Sequence, residues 1–426
     1  MQNSKKGISV LVIGAGIAGI ESSLLLANSG AKVYLVEKAS YFGGNVIKWE
    51  EVFPNMECAT CMIAPKQQEV LQNRNIELLT LSEVEAVGGS LGDFTVKVKK
   101  KARYVNLDNC IGCNECFGPC PVQVDNEFEE GLSKRKAIYI PCAGALPNAP
   151  VIDTDNCVRF KGKDCQLCQE ACAFEAIDYT QQDEVLELHV GAIVVATGFK
   201  TFDLTQVPQY GYKRLNNVYS MVEVERLCAS NGPTQGQIVL RNGEAPKSVA
   251  IIHCVGRDEK GYCSSVCCMA SIKQAHFLKN KIPELKIFEL YSDLCVPGRV
   301  YQRFYEEVKE SGVDFIRATV NEVTQKGTGV AIKYKTESGG EDTLNVDMLI
   351  LAPALEPGVS SGRVAEILAI PLDEHGFFNE KERDLDSVDT SREGIFIAGC
   401  AQSPKDVPDT VAEAEATVGR ILALSR

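Results

Sequence analysis

An α/β architecture is predicted by three features of this 426-residue sequence. An apolar, largely β-branched run over residues 8–13 ends directly in Gly14-Ala15-Gly16-Ile17-Ala18-Gly19, and a helix-like stretch from Ile20 to Ser29 follows. Two cysteine quartets lie between residues 105 and 183, bracketed by strand-like runs. Strand patterns alternate with helical ones through the rest of the chain, as layered α/β units require.

The apolar fraction of 45% and charged fraction of 24% are those of an ordinary globular protein. No stretch approaches the ~18 consecutive apolar residues of a spanning helix, so membrane contact is expected only through partners. Lys5 and Lys6 followed by ISVLVIGAGIAGI superficially mimic a short signal peptide, but glycines break the apolar run. The signal reading is therefore rejected and a cytoplasmic location expected. A net charge of -13 disfavours nucleic acid and anionic lipid as partners, because an acidic surface repels both. Eighteen cysteines without a secretion signal read as metal ligands or redox groups rather than disulfides.

Strand, glycine turn and helix in this order make a dinucleotide site. Gly14 permits the tight turn, Gly16 lets the backbone approach a pyrophosphate, and Gly19 lets helix and strand pack closely, with Ala18 in the same first turn. A second strand, Lys32 to Val36, ends in Glu37, 23 residues after Gly14, where a carboxylate grips a ribose hydroxyl; Lys38 follows it. Further along stand Gly43-Gly44, then Ala196-Thr197-Gly198 closing the strand AIVVATG, then Gly399 closing GIFIAG. This series resembles the recurring motifs of two-dinucleotide-domain flavoproteins, the superfamily of thioredoxin and glutathione reductases, and implies FAD rather than NAD. One departure stands out: that superfamily usually ends its last strand in Gly-Asp, and here it reads Gly399-Cys400. Cys400 is either a redox-active thiol or ligand beside the flavin, or a small buried residue packed under the ring. Lys405, in the turn after it, either reaches the flavin and steadies its reduced anion or caps the surface.

The first cysteine quartet, Cys110, Cys113, Cys116 and Cys120 followed by Pro121, has the C-x2-C-x2-C-x3-C-P spacing of a two-cluster ferredoxin. The second, Cys157, Cys165, Cys168 and Cys172, has a longer first gap but keeps C-x2-C-x3-C. The ferredoxin crossover rule assigns one [4Fe-4S] cluster to Cys110, Cys113, Cys116 and Cys172, and the other to Cys157, Cys165, Cys168 and Cys120. Cys142, between the quartets without a spacing partner, is read as structural. The insert interrupts the FAD domain between the strand near Phe94 to Val98 and the returning strand at Val190 to Thr197. The predicted fold is thus a Rossmann-like, FAD-binding, two-dinucleotide-domain flavoprotein fold with an inserted two-cluster ferredoxin domain.

From Lys247 a strand leads into a loop and helix, KSVAIIHCVGRDEKGYCSSVCCMASIKQAHFL, where a second glycine-rich phosphate loop would stand. Cys254-Val255-Gly256-Arg257 occupies that place, and Cys263, Cys267 and Cys268 follow. One glycine among several thiols cannot cradle a pyrophosphate in the usual way, so direct NAD(P)H oxidation is not expected. These cysteines are either ligands or simply buried in a loop and helix. His253 is read as a satisfied strand-end residue and not a ligand.

The run HCVGRDEKGYCSSVCCMA, with ECATCMIAPK at Glu57 to Lys66, NGPTQG at Asn231 to Gly236 and AGCAQSPKDVPDTV at Ala398 to Val411, resembles the heterodisulfide reductase A-subunit-like family. The resemblance covers almost the whole chain. The family includes the A-type subunits of heterodisulfide reductase, quinone-interacting membrane-bound oxidoreductase and benzoyl-CoA reductase complexes. The resemblance implies a flavin-containing electron hub, often a homodimer, which binds FAD and [4Fe-4S] clusters and takes part in flavin-based electron bifurcation. It also implies a third [4Fe-4S] cluster near the flavin on Cys254, Cys263, Cys267 and Cys268. Cys58 and Cys61 either complete that cluster or form a dithiol. Cys295 stands where the family pattern suggests arginine and is read as a neutral substitution. The sequence ends at Arg426 soon after the flavin motif, which reads as a short form without a C-terminal ferredoxin module.

The expected organisation is FAD-binding domain in residues 1–104, 184–236 and 347–426, ferredoxin-like insert in 105–183, and a degenerate second Rossmann-like domain in 237–346. The expected function is an oxidoreductase subunit that splits flavin electron pairs into single electrons passed along clusters. Its expected partners are the other subunits of a redox complex, of heterodisulfide reductase B/C type or similar. The alternative is a stand-alone NAD(P)H-dependent iron–sulfur flavoprotein resembling the glutamate synthase small subunit.

Overall fold

A computed structural model describes residues 8–424; Lys5, Lys6 and Arg426 lie outside the described residues. Along the chain come β1 (Ser9–Ile13), α1 (Ile17–Asn28), β2 (Lys32–Val36), α2 (Ala59–Gln72), β3 (Ile76–Leu79), β4 (Ser82–Ser90) and β5 (Asp93–Lys100). After the cysteine-rich segment follow β6 (Glu184–Val190), β7 (Ala192–Val195), β8 (Val218–Ser220), α3 (Met221–Cys228), β9 (Ser248–Val255), α4 (Cys267–Lys281), β10 (Lys286–Tyr291), α5 (Gly298–Glu310) and β11 (Val313–Lys326). The chain closes with β12 (Gly329–Thr336), β13 (Glu341–Val346), β14 (Met348–Pro353), α6 (Ser361–Leu368), β15 (Ile395–Ile397) and α7 (Val407–Leu424). No described helix is long and apolar enough to cross a membrane.

Two compact units divide the chain. The first takes the residues up to 47, then 63–198, then 357 onward. Its centre is a five-stranded sheet in the order β15-β7-β1-β2-β3. All its pairings are parallel. Strands of such a sheet are covered on both faces and must be apolar throughout, which is why β1 reads SVLVI and β7 reads AIVV, with every residue of β7 buried. The register levels the carboxyl ends: Ile13 pairs with Val36 and with Val195, Val195 with Ile397, and Val36 with Leu79. Gly14, Glu37, Ala196 and Ala398 each follow one of these ends, so four sequence-distant motifs meet at one edge. That edge is where ligands of open α/β sheets bind.

An antiparallel sheet, β6-β5-β4, shares a core with the parallel one through Phe94, Val96, Val98, Leu188, Val190 and Leu11. Lys100 at the end of β5 pairs with Glu184 at the start of β6. The chain therefore leaves and re-enters side by side, and residues 101–183 form a lobe with its own small core of Val105, Ala137, Ile138, Ile152, Ala176 and Ile177 packed with cysteines.

The second unit comprises residues 48–62 and 199–356. Seven strands run in the order β8-β14-β9-β10-β11-β12-β13, with β8 to β11 parallel and β11 to β13 an antiparallel meander. The expected boundaries need correction here. Residues 199–236 and 347–356, assigned from sequence to the FAD-binding domain, belong to this unit: β8 and the wholly buried β14 pair with each other, and β14 lies directly against β9. Residues 48–62, also assigned to the first domain, pack in the second unit, where Arg226 donates to the Lys48 carbonyl at 3.2 Å.

Candidate functional site

The dinucleotide cradle in the first unit is built from positions that have no space for side chains. At Gly14, φ is +103° and a Cβ would lie 2.3 Å from the Ala196 carbonyl oxygen; at Gly19 it would lie 1.8 Å from the Gly14 oxygen. Gly44, at φ +69°, faces Gly16, with its missing Cβ 2.6 Å from the Gly16 Cα. Gly16 is the residue before α1 and is extended, with no side chain capping the helix. The first N–H groups of α1 are thus open to an anion, as pyrophosphate sites require. The Glu37 carboxylate accepts from Ala15 N at 2.9 Å and Ala39 N at 2.8 Å. Burial pushes its pKa up, opposed by these backbone donors. Beside it a cavity of about 720 Å³, open to solvent, is lined by Lys38, Ala39, Ser40, Tyr41 and Leu81 among others. Lys38 itself turns to Glu83, 3.5 Å away. The Thr197 hydroxyl is buried with no hydrogen-bond partner, an orphan that a bound ligand would satisfy. These residues fit a dinucleotide such as FAD.

At the last strand Cys400 and Lys405 are both held by contacts within the chain. Cys400 is buried, its Sγ donates to the Lys405 carbonyl at 3.3 Å, and burial pushes its pKa up to about 11. It is a neutral, packed thiol. Lys405 Nζ lies 2.7 and 2.8 Å from the two Glu413 oxygens and 2.6 Å from Gln402 Oε1, so it serves an internal ion pair. Glu413, on α7, also accepts the Gly399 N–H. Sequence reasoning missed this carboxylate; its signal was an acidic residue on a helix that otherwise buries Thr410, Ala414, Thr417 and Val418.

In the lobe, the eight cysteines separate into two groups. Cys110, Cys113, Cys116 and Cys172 line one small hollow, together with Ile111, Pro150, Phe174, Ala176 and Ile177. Cys120, Cys157, Cys165 and Cys168 line a second, with Pro121, Val122, Ala137, Ile138, Ile152 and Leu167. Each cavity draws its fourth sulfur from the other quartet. Four soft thiols around an apolar hollow are a donor set that suits iron–sulfur clusters. Burial pushes Cys116 up to about 12 and raises Cys168, so these thiols are protonated without metal, and loading must displace their protons. Tyr179, whose hydroxyl lies 3.0 Å from Cys168 Sγ, is a further group the spacing did not reveal.

Arg103 joins the lobe to the cradle. It is buried and donates to the Ser40 carbonyl at 2.5 Å, the Thr80 hydroxyl at 3.1 Å and the Ala149 carbonyl at 3.2 Å. Burial pushes its pKa down to about 10, and it stays a cation at neutral pH. Phe42 N adds a bond to the Leu146 carbonyl at 3.2 Å. Residues 40–44 are held by the lobe from one side.

In the second unit, Cys254, Cys267 and Cys268 bring their sulfurs within 4.8 Å of one another. Cys263 is not in that group, and its Sγ accepts from Ser265 N at 3.4 Å. β9 is irregular between Ile252 and Val255, and Cys254 sits at φ +58°, a left-handed conformation costly for a residue with a Cβ. This kink turns Cys254 toward the first turn of α4, where Cys267 and Cys268 stand. Gly256 has φ +94°, and its missing Cβ would meet the Phe202 ring at 2.6 Å. A phenyl ring and thiols occupy the place of a phosphate loop. Hydrogen bonds from Cys254 and Cys267, with His253 beside it, depress Cys268 despite its burial, so Cys268 takes the thiolate. Cys295, expected to be neutral, donates its backbone N–H to Cys268 Sγ at 3.4 Å. His253 is fully buried; burial lowers its pKa, but the adjoining Glu289 carboxylate outweighs this and lifts it to about 9. Cys58 and Cys61 are bonded to each other and take no part in the three-sulfur group.

The description NAD(P)-binding Rossmann-like domain matches residues 12–72. Over 422 residues the chain is 40% identical to the iron–sulfur A subunit of the CoB–CoM heterodisulfide reductase of Methanocaldococcus jannaschii, covering 97% of this chain and 64% of the relative. It is 39% identical to a protein of Archaeoglobus profundus described as like the A subunit of heterodisulfide reductase, covering 97% and 66%. The A subunit of the H2:CoB–CoM heterodisulfide, ferredoxin reductase of Methanothermobacter thermautotrophicus is 39% identical, covering 96% and 63%. Over nearly its whole length the chain is similar to A subunits of heterodisulfide reductase.

It spans 63–66% of the length of these three relatives. In fold, it is similar to the thioredoxin reductase of T. acidophilum, with a TM-score of 0.54 at 15% identity over 99% of both chains. LpdA of Mycobacterium tuberculosis gives 0.54 at 13% identity over 98% of this chain and 73% of that one. In this chain the cysteine lobe is threaded between β5 and β6 of the cradle unit.

Proposed function

We propose that this chain is an FAD- and [4Fe-4S]-containing oxidoreductase, the electron-transfer subunit of a heterodisulfide-reductase-like complex. In this role it splits flavin electron pairs into single electrons, including flavin-based bifurcation within the assembled complex. The observation that carries the reading is the grouping of eight cysteines around two separate cavities, in a lobe whose ends join adjacent strands of the dinucleotide unit. When bound, FAD supplies the conversion between two-electron and one-electron steps, and the clusters supply one-electron relays.

The chain's own residues bind, orient and seal. Gly14, Gly16, Gly19, Gly43 and Gly44 leave room for the pyrophosphate, Glu37 holds the ribose, and the Thr197 hydroxyl is free to bond the ligand. Cys110, Cys113, Cys116 and Cys172 hold one cluster, and Cys120, Cys157, Cys165 and Cys168 the other. Cys254, Cys267 and Cys268, with Cys263 as fourth donor, hold a third. Lys405 and Glu413 fix the Gly399 turn rather than carrying protons to substrate. The NAD(P)H-dependent alternative is disfavoured because Cys254 and the Phe202 ring fill the place of the second phosphate loop.

Anaerobic analysis of the isolated chain tests this. One FAD and at least about eight irons per chain are expected, about twelve with the third cluster filled. Fewer than about eight would overturn the two-cluster assignment, and rapid flavin bleaching by NADPH would restore the alternative.

A further inference from the structure

Cys58 and Cys61 belong to neither iron-binding lobe nor three-sulfur group, and both are exposed. Their Cα atoms are 5.2 Å apart, within disulfide range, and the two sulfurs are bonded. Both residues are fixed in place by backbone structure. Cys58 closes a short hairpin by pairing with Glu51, and Ala59 N donates to the Glu50 carbonyl at 3.1 Å. Helix α2 begins at Ala59, so Cys58 occupies the capping position and Cys61 lies in the first turn. The Cys61 N–H points at Cys58 Sγ at 3.2 Å.

This placement separates the two sulfurs chemically. Once the pair is reduced, Cys58 receives an N–H from the open helix end, and its thiolate is favoured by that donor and by the helix dipole. A thiolate that is both stabilised and exposed is the one that exchanges with outside sulfur. Glu51 pairs with Cys58 across the hairpin and Glu57 precedes it, which favours a partner with a neutral or basic rim.

We propose that Cys58–Cys61 is a two-electron thiol–disulfide exchange site for an external dithiol. In the reducing direction, a thiolate of the partner attacks Cys58 Sγ, the Cys58–Cys61 bond breaks, and Cys61 leaves as a thiolate that takes up a proton. The partner's second thiolate then attacks the partner sulfur of the mixed disulfide, the bond to Cys58 breaks, and Cys58 leaves as a thiolate that takes up the second proton from solvent. The partner is oxidised to its disulfide, the pair is reduced to a dithiol, and two electrons and two protons have moved. The reverse reaction reduces a partner disulfide by the same steps.

The test is peptide-level differential alkylation of the holoprotein, kept anaerobic. Two arms use dithiothreitol as a small dithiol and reduced thioredoxin as a protein carrying Cys-x-x-Cys. The peptide holding Cys58 and Cys61 is expected to pass from unlabelled to doubly labelled in at least one arm, along an n = 2 redox curve. Reduction by both arms, or by either alone, supports the site and tells which source reaches it; reduction by neither overturns it. In a Cys61→Ser variant treated with glutathione disulfide, an adduct on Cys58 is expected in the intact mass, and its absence overturns the assignment of Cys58 as the exchanging sulfur. The Cys58→Ser/Cys61→Ser double variant is expected to keep the parent's iron and flavin content. Loss of about four irons would make the pair cluster ligands and overturn the proposal. This outcome is independent of whether the electron-transfer reading above holds.

Discussion

Gly19 has no room for even a methyl group, because a Cβ would lie 1.8 Å from the Gly14 oxygen. Gly19→Ala must therefore push α1 off β1 at the place where the pyrophosphate is expected. Purified Gly19→Ala protein should carry at least tenfold less flavin per chain, read from the flavin-to-protein absorbance ratio. Glu37 makes a pH-dependent prediction. In the proposed role it would hold the ribose as the carboxylate, and burial raises its pKa above the ordinary value for a glutamate. Flavin affinity should then fall as pH drops through that raised pKa, at a higher pH than an exposed carboxylate would give. Glu37→Gln should weaken binding by roughly 10- to 100-fold, about 1.4–3 kcal/mol for a bond to a charged group, and flatten the profile. Flavin release followed by fluorescence against pH checks both. These glycines and Glu37 were legible because their demands are local. The left-handed turn at Cys254 and the closing of Glu413 on Gly399 were not, since each depends on a chain irregularity or a partner many residues away.

Two short cysteine motifs fold into a lobe in which each cavity borrows one sulfur, and this exchange can be measured. Cys120→Ser should cost the cluster shared with Cys157, Cys165 and Cys168, about four irons, and leave the one on Cys110, Cys113 and Cys116. Adding Cys157→Ser to Cys120→Ser should remove no more iron, whereas adding Cys110→Ser should remove about four more. Were the clusters built within each quartet, the two double variants would trade places. The grouping of these cysteines was legible in their spacing, since ligand geometry constrains spacing tightly. Arg103 was silent in the sequence. Its role arises only where Ser40, Thr80 and Ala149 bring carbonyl and hydroxyl oxygens to one buried point. Removing a cation from such a point leaves its acceptors unpaired, a common way for a single change to loosen a loop.

At the scale of the whole chain, the parallel sheet and its insert could be read from strand periodicity, while the unit boundaries could not. β14 is a uniformly apolar hexamer that could serve any parallel sheet, and nothing in its own residues says that β8 and β9 are its neighbours. The meeting of Lys100 and Glu184 on adjacent antiparallel strands carries a consequence of another kind. The lobe enters and leaves the cradle unit through a gap one strand pair wide, so a tight turn could replace it and leave β5 and β6 as a plain hairpin. Residues 101–183 replaced by Asn-Gly should give a folded, iron-poor chain with flavin bound more weakly, because Ser40 and Phe42 lose Arg103 and Leu146. Circular dichroism and flavin titration would show it; an unfolded product would mean that the sheet needs its lobe. Geometrically, the cysteine-rich lobe is a cassette: a ready-made module set into a hairpin, and a natural junction for transplanting it into other nucleotide-binding folds.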